Sequence, residues 1–185
     1  DLPLSIRRQR QMCIRDRDSG VEPLEDPQLT QKEVARILAA INATHATDVV
    51  LGEKDFEVLV ATQYAVSGLR MECKLHSVPT VRTPHGLALS NRNALVAVDK
   101  REAALALSAA LTAGAHVAEH GKAKVLETAR GVLEAAGVTP TYLELRDLAM
   151  REAPAEGDAR LLGAVDLGGV HLMDNVGLPL GVGFK

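Results

Sequence analysis

Thr47-Asp48-Val49-Val50-Leu51-Gly52-Glu53-Lys54-Asp55 decides how this chain is read. Its first five residues are short, β-branched and apolar, and they stop at a glycine, which reads as a buried parallel strand. Upstream, Val34, Ile37, Leu38 and Ile41 recur at helical spacing. Thr30 with Glu33 offers a capping box for that helix, which ends near Asn42 to His45. The Pro- and acid-rich stretch Gly20 to Leu29 reads as a loop. Downstream, a second helix is expected from Asp55 to Gly68. Arg70 to His76 then alternates Met71, Cys73 and Leu75 with polar residues, the period of a strand. Val78-Pro79-Thr80-Val81-Arg82 continues extended, because Pro79 resists a helix on both sides. Strand, helix, strand in this order predicts an α/β fold with a doubly wound sheet.

Beyond Asn93 the pattern changes to α+β. Asp99 to His120 is Ala-rich, with Leu105, Ala109 and Leu111 along one face, and Ala123 to Ala136 forms another helix closed by Gly137. Thr139 to Asp147, Arg160 to Leu167 and Val170 to Asn175 read as strands. The chain therefore divides into 20–93, part of a doubly wound domain, and 94–185, a small α+β domain. Residues 1–19 stand apart: Arg7, Arg8, Arg10, Arg15 and Arg17 crowd into them, and Gln11 to Arg17 resembles translated sequencing-adaptor sequence. They are read as a non-native leader and kept out of the fold, in preference to a basic arm for RNA or anionic lipid.

Composition limits the function classes. Hydrophobic residues make up 46% of the 185, so a core is available, and with aromatics at 2% and no Trp it must be built from Ala, Val and Leu. A net charge of -3 argues against a general nucleic-acid or membrane-surface binder. Cys13 and Cys73 form no paired motif, so neither a disulfide framework nor a zinc site is expected. No apolar run approaches the roughly 18 residues that span a bilayer, and no secretory signal is visible; the expected address is the cytoplasm.

Two segments carry candidate chemistry. Gly52-Glu53-Lys54-Asp55 lies between a strand and a helix, where open α/β sheets place their ligands. There Gly52 allows close backbone approach, Lys54 neutralises a phosphate as a point charge, and Asp55 accepts from ribose hydroxyls. Gly86-Leu87-Ala88-Leu89-Ser90-Asn91-Arg92-Asn93 follows an extended segment and offers hydroxyl, amide and guanidinium donors from Ser90, Asn91 and Arg92. Such a set suits a triphosphate whose charge grows in a transition state. Taken singly, each has a plainer reading: a charged turn opening a helix, and an interdomain loop in which Ser90 or Asn91 caps the next helix.

In this order and spacing the segments resemble the pantothenate synthetase family, which reads Gly-Glu-Lys-Asp-(Tyr/Phe)-Gln-Gln, then Pro-Thr-Val-Arg, then Asp-Gly-Leu-Ala-Met-Ser-Ser-Arg-Asn. Tyr142 to Asp147, Arg160 to Leu162 and His171 to Asn175 look like that family's last strands, so the resemblance covers residues 47–176. It implies a Rossmann-like nucleotidyltransferase domain followed by a small carboxy-terminal domain. It also implies an AMP-forming ligase: the pantoate carboxylate attacks the α-phosphorus of ATP, and the β-alanine amine then displaces AMP. Carried over residue by residue, Gly52 and Val81 line adenine and ribose through their backbones and Asp55 holds the ribose. Lys54 contacts phosphate, and Leu89, Ser90, Asn91 and Arg92 form the loop that closes on the phosphates. Catalysis falls to Lys54, Ser90, Asn91 and Arg92. Magnesium accompanies the triphosphate, and the full-length enzyme is expected to be a homodimer.

The chain departs from the pattern in places. The family's phosphate-binding His-x-Gly-His motif does not occur, so the resemblance is to the carboxy-terminal part, expected to be inactive without the remainder. Glu57-Val58 stands where the family has Gln-Gln, and Val58 removes an amide that contacts pantoate there. His85 replaces an Asp, Leu89 a Met and Asn91 a Ser. His45, His76, His85 and His171 are read as surface or packing histidines. Two other readings remain open: an adenylyl-transfer enzyme with another acid substrate, suggested by Val58, and a non-catalytic nucleotide-binding or dimerisation module.

Overall fold

A computed structural model describes residues 22–182, so the expected leader 1–19 lies outside the described residues. Two compact units emerge: residues up to Leu51 with Glu57–Val78, and Gly52–Phe56 with the residues from Pro79 on.

In the first unit, helix α1 (Pro27–Thr44) precedes strand β1 (Asp48–Gly52), helix α2 (Phe56–Gly68) and strand β2 (Lys74–Val78). The expected β-α-β order is present, with β1 and β2 paired in a parallel two-stranded sheet. The start of α1 is corrected. The cap is Asp26, whose carboxylate accepts from the Gln28 N–H at 2.9 Å, with Pro27 as first helical residue. Asp-Pro outcompetes Thr30 because proline has no N–H to satisfy and its φ is already helical. Glu33, freed from capping, pairs with Arg36 one turn on. The alternating stretch from Arg70 is also corrected, since strand begins only at Lys74. Residues 69–71 instead close α2: the Met71 N–H donates to the Val66 carbonyl at 3.0 Å, with Arg70 at φ 53°. This is a Schellman-type end with an arginine in the position usually given to glycine. Strand β1 forms where expected but is not buried, with Val50 64% exposed. A parallel strand is buried only when covered on both faces, and one paired strand does not supply that.

Asp48 and His76 link the two strands across 2.8 Å. The hydrogen bond from His76, and a second from Thr47, hold the Asp48 carboxyl below its ordinary value of 3.8. A carboxyl depressed in the fold contributes stability that is complete above its ordinary value and is lost as pH falls through the depressed one. Carboxyl-carbon NMR titration should place Asp48 below 3.8, and His76→Ala should move its midpoint upward.

In the second unit, helices α3 (Arg101–His116) and α4 (Lys122–Ala135) pack together beside an antiparallel sheet of β3 (Pro140–Arg146), β4 (Gly157–Asp166) and β5 (His171–Leu180). The strands lie in the order β3-β4-β5, with Leu145 opposite Leu161 and Leu161 opposite Val176. β5 runs past the expected Asn175 to Leu180. It tolerates Pro179 because an edge strand has N–H groups that need no ladder partner. The expected stripe on α3 is shifted: Ala104, Leu107 and Leu111 are buried and Ala109 is exposed. Burial against both a sheet and a helix rotates and widens the apolar face. Leu111, Val125, Leu133, Leu161, Val165 and Leu180 form the sealed centre. No described helix is long and apolar enough to cross a membrane.

Gly114 permits this packing. A Cβ there would stand 2.8 Å from Leu161 Cδ2, 3.1 Å from the Val125 carbonyl and 3.2 Å from Ala129 Cβ. Alanine in a helix interior normally gains about 1 kcal/mol over glycine. Here overpacking reverses the sign, and Gly114→Ala should destabilise the unit by about 1–3 kcal/mol in urea unfolding.

Candidate functional site

Strand β1 ends at Gly52, which is extended at φ -74° and has open space where a side chain would be. The next three residues, Glu53–Asp55, form a single 3-10 turn that leads into α2. The Lys54 side chain is mostly buried, at 18% exposure, while its Nζ stands 3.3 Å from the outward-facing Asp55. The turn is held from beside it. The Asn175 carboxamide donates to the carbonyls of Glu53 at 2.9 Å and Lys54 at 2.8 Å. Arg160 donates to the Glu53 carboxylate at 2.9 Å and lies 4.0 Å over the Phe56 ring.

The other two motif segments fold back on each other. A turn over Thr83-Pro84-His85-Gly86 closes with the Gly86 N–H on the Thr83 carbonyl at 2.9 Å. Gly86 at φ 88° is in the left-handed region that glycine alone enters without strain. Beyond it the Leu89 N–H donates to the Val81 carbonyl at 2.9 Å, and Arg82 bridges to Ala88. Val81 and Leu89 thus turn their side chains outward, 61% and 53% exposed, while their backbones pair. Ser90 caps a short 3-10 helix, Asn91–Leu95, its hydroxyl oxygen accepting the Arg92 N–H at 3.2 Å. The plainer capping role foreseen for Ser90 is therefore real. The capped element is this short turn, however, and not α3, which starts only at Arg101. Asn91 is exposed, and Arg92 reaches the His171 carbonyl at 3.2 Å.

One stretch of β5, His171–Asn175, holds all three segments. His171 receives Arg92, Asn175 holds the Glu53–Lys54 turn, and Asp174 receives Arg82. Asp174 is 3% exposed and accepts both arms of the Arg82 guanidinium and the Ser108 hydroxyl at 3.0 Å. Lys54, Ala88 and Asp174 line one narrow cleft. Sequence alone assigns no role to Glu53, Arg82, Arg160, Asp174 or Asn175. For Arg160, Asp174 and Asn175 the available signal is a charged or amide residue inside an otherwise apolar strand, since such groups are buried only with partners.

The end of β1 at Gly52 and the helical turn that follows it occupy the place where open α/β sheets put their ligands. A family profile described as Pantoate-beta-alanine ligase matches residues 29–177, and the chain belongs to that family. It is 49% identical over 156 residues to a pantothenate synthetase of Corynebacterium jeikeium, covering 82% of this chain and 51% of that one. It is 47% identical over 133 residues to one from Mycobacterium avium, covering 71% and 43%. The chain thus spans about half the length of the curated relatives it matches. Among solved structures, a pantothenate synthetase of Thermus thermophilus superposes with a TM-score of 0.73 at 26% identity, over 77% of this chain and 54% of that chain. A ligase from Francisella tularensis, whose structure is described as complexed with β-γ ATP and β-alanine, shares the fold at a TM-score of 0.57 and 22% identity, over 78% and 48%.

Proposed function

We propose that this chain supplies the nucleotide-binding and carboxy-terminal part of a pantoate–β-alanine ligase that works in the cytoplasm as a homodimer. The whole enzyme joins pantoate to β-alanine with cleavage of ATP. A pantoate carboxylate oxygen attacks the α-phosphorus and pyrophosphate leaves. The β-alanine nitrogen then attacks the acyl carbon, losing a proton as AMP departs. The chain's own residues bind and orient: Gly52 and Val81 along adenine and ribose, Asp55 on the ribose hydroxyls, and Lys54 on phosphate. Leu89, Ser90, Asn91 and Arg92 close over the triphosphate. Donors fixed before charge develops lower the barrier without any protein nucleophile. Among the residues assigned to the nucleotide Asp55 is the one carboxylate, and it is placed on the ribose, so magnesium would enter with the triphosphate and add positive charge beside Lys54 and Arg92. The domain border falls near residue 93 in this reading.

The observation that carries the proposal is the common anchorage of the three motif segments on His171–Asn175. A chimera tests it, with the amino-terminal half of the Corynebacterium jeikeium relative joined to residues 22–185 of this chain, which keeps the Asp26 cap and the whole of β5. Pantothenate and AMP should form in equal amounts. A folded chimera that binds ATP but makes neither product with pantoate, and releases pyrophosphate with another acid, would favour the second reading, motivated by Val58 in place of the family's Gln. A folded chimera that ignores ATP would leave only the non-catalytic module.

A further inference from the structure

We propose that Asn175 is a positioning residue for nucleotide binding, setting the backbone of the Glu53–Lys54 turn and through it the placement of the Lys54 ammonium. The proposal rests on the nucleotide reading of the site. Asn175 sits on the edge strand β5 and is 3% exposed, yet every polar group of its side chain is engaged. Its Nδ2 donates to two main-chain carbonyls, Glu53 at 2.9 Å and Lys54 at 2.8 Å. Its Oδ1 accepts from Arg160 Nη1. These partners fix which way the amide faces, since a flipped amide would set its oxygen against two carbonyls and its nitrogen against a guanidinium. The Asn175 main chain is fixed as well, its N–H on Asp174 Oδ1 at 2.8 Å and its carbonyl receiving Arg82 at 3.2 Å.

Arg160 completes the clamp. One arm holds the Asn175 oxygen, the other holds the Glu53 carboxylate at 2.9 Å, and the guanidinium covers Phe56. The turn is therefore gripped at Glu53 and Lys54, and the first residue of α2 at Phe56, by side chains from β4 and β5. Lys54 itself has the exposed Asp55 near its ammonium, at 3.3 Å. Its aim is set through its main chain, and a phosphate contact misplaced by an ångström loses much of its effect.

The full chain is tested by hydrogen exchange over 52–56 and by calorimetric titration with ATP and magnesium, on wild type and Asn175→Ala. Glu53→Gln, which removes the turn's charge from the Arg160 arm at a partly exposed position, serves as a second variant should Asn175→Ala fail to fold. Exchange over 52–56 should accelerate about tenfold and ATP affinity should fall about tenfold in Asn175→Ala. The melting temperature should fall in Asn175→Ala, because Arg160 and two main-chain carbonyls lose buried partners, while protection in α3 and α4 stays near wild type, and Glu53→Gln should shift exchange and affinity in the same direction by less. Wild-type ATP affinity in both variants would overturn the positioning role while leaving the nucleotide reading intact. Faster exchange in a chain whose wild type binds no ATP would overturn the nucleotide reading and leave Asn175 as a clamp on the turn alone.

Discussion

Arg82→Met should lower the stability of the unit built from Gly52–Phe56 and the residues from Pro79 on by about 3 kcal/mol. The cause is what the substitution leaves behind. The Asp174 side chain is 2% exposed and faces the Arg82 guanidinium with both oxygens. Without that cation it retains the Ser108 hydroxyl at 3.0 Å and the Asn175 N–H at 2.8 Å, two neutral donors for a buried charge. Arg82 is itself 29% exposed, so water can reach the vacated space, which places the loss toward the lower end of the range for broken buried pairs. Arg82→Met combined with Asp174→Asn removes both charges and should recover most of the loss. Urea unfolding followed at amides of β4 reads both variants beside the wild type. A double variant as unstable as the single one would show that Arg82 matters for its packing and not for its charge.

Lys54→Ala should act mainly on the ligand: it should cost about 1 kcal/mol of stability for the buried stem and weaken ATP binding about 10- to 100-fold, the range for a hydrogen bond to a charged group. Its ammonium has Asp55 as neighbour at 3.3 Å, and Asp55 is exposed at 59% of its side chain. An ion pair in that setting contributes little to folding. Lys54→Arg should recover only part of the affinity, because a planar fork does not replace a compact charge at the end of a stem already mostly buried. Calorimetric titration beside a thermal melt separates the two effects. A variant that melts early but binds ATP normally when folded would return Lys54 to a structural role.

The elements that can be read from sequence are those in which period, length and punctuation agree. β1 and α2 carry one pattern each and end at glycines, and the two helices beyond Asn93 show long apolar spacing. Misreadings arise where a local choice between equal signals is settled by a neighbour. Asp26 and Thr30 are both plausible caps, and Pro27 decides between them. Alternation from Met71 to Leu75 imitates a strand, but its first residues are already committed to ending α2 through the bond from Met71 to Val66. The site shows the same division. Gly52 to Asp55 and Leu89 to Arg92 are visible through their joint order and spacing, since each alone has a structural reading and Ser90 does cap a turn. What holds them is not visible. Asp174, Asn175 and Arg160 act across 92 to 121 positions of chain, on Arg82, Lys54 and Glu53, and no period or short motif encodes a partner that distant.

If Gly52–Asp55 and Leu89–Arg92 form one nucleotide site, NMR titration of the nitrogen-15-labelled chain with ATP and magnesium shows it most directly. Shifts should concentrate at the amides of Gly52, Lys54, Asp55, Val81 and Leu89 to Arg92, and should vanish in Lys54→Ala. Shifts elsewhere, for example along the open groove between α4 and β3 lined by Lys122 and Arg130, with the motif amides unmoved, would contradict a shared nucleotide site.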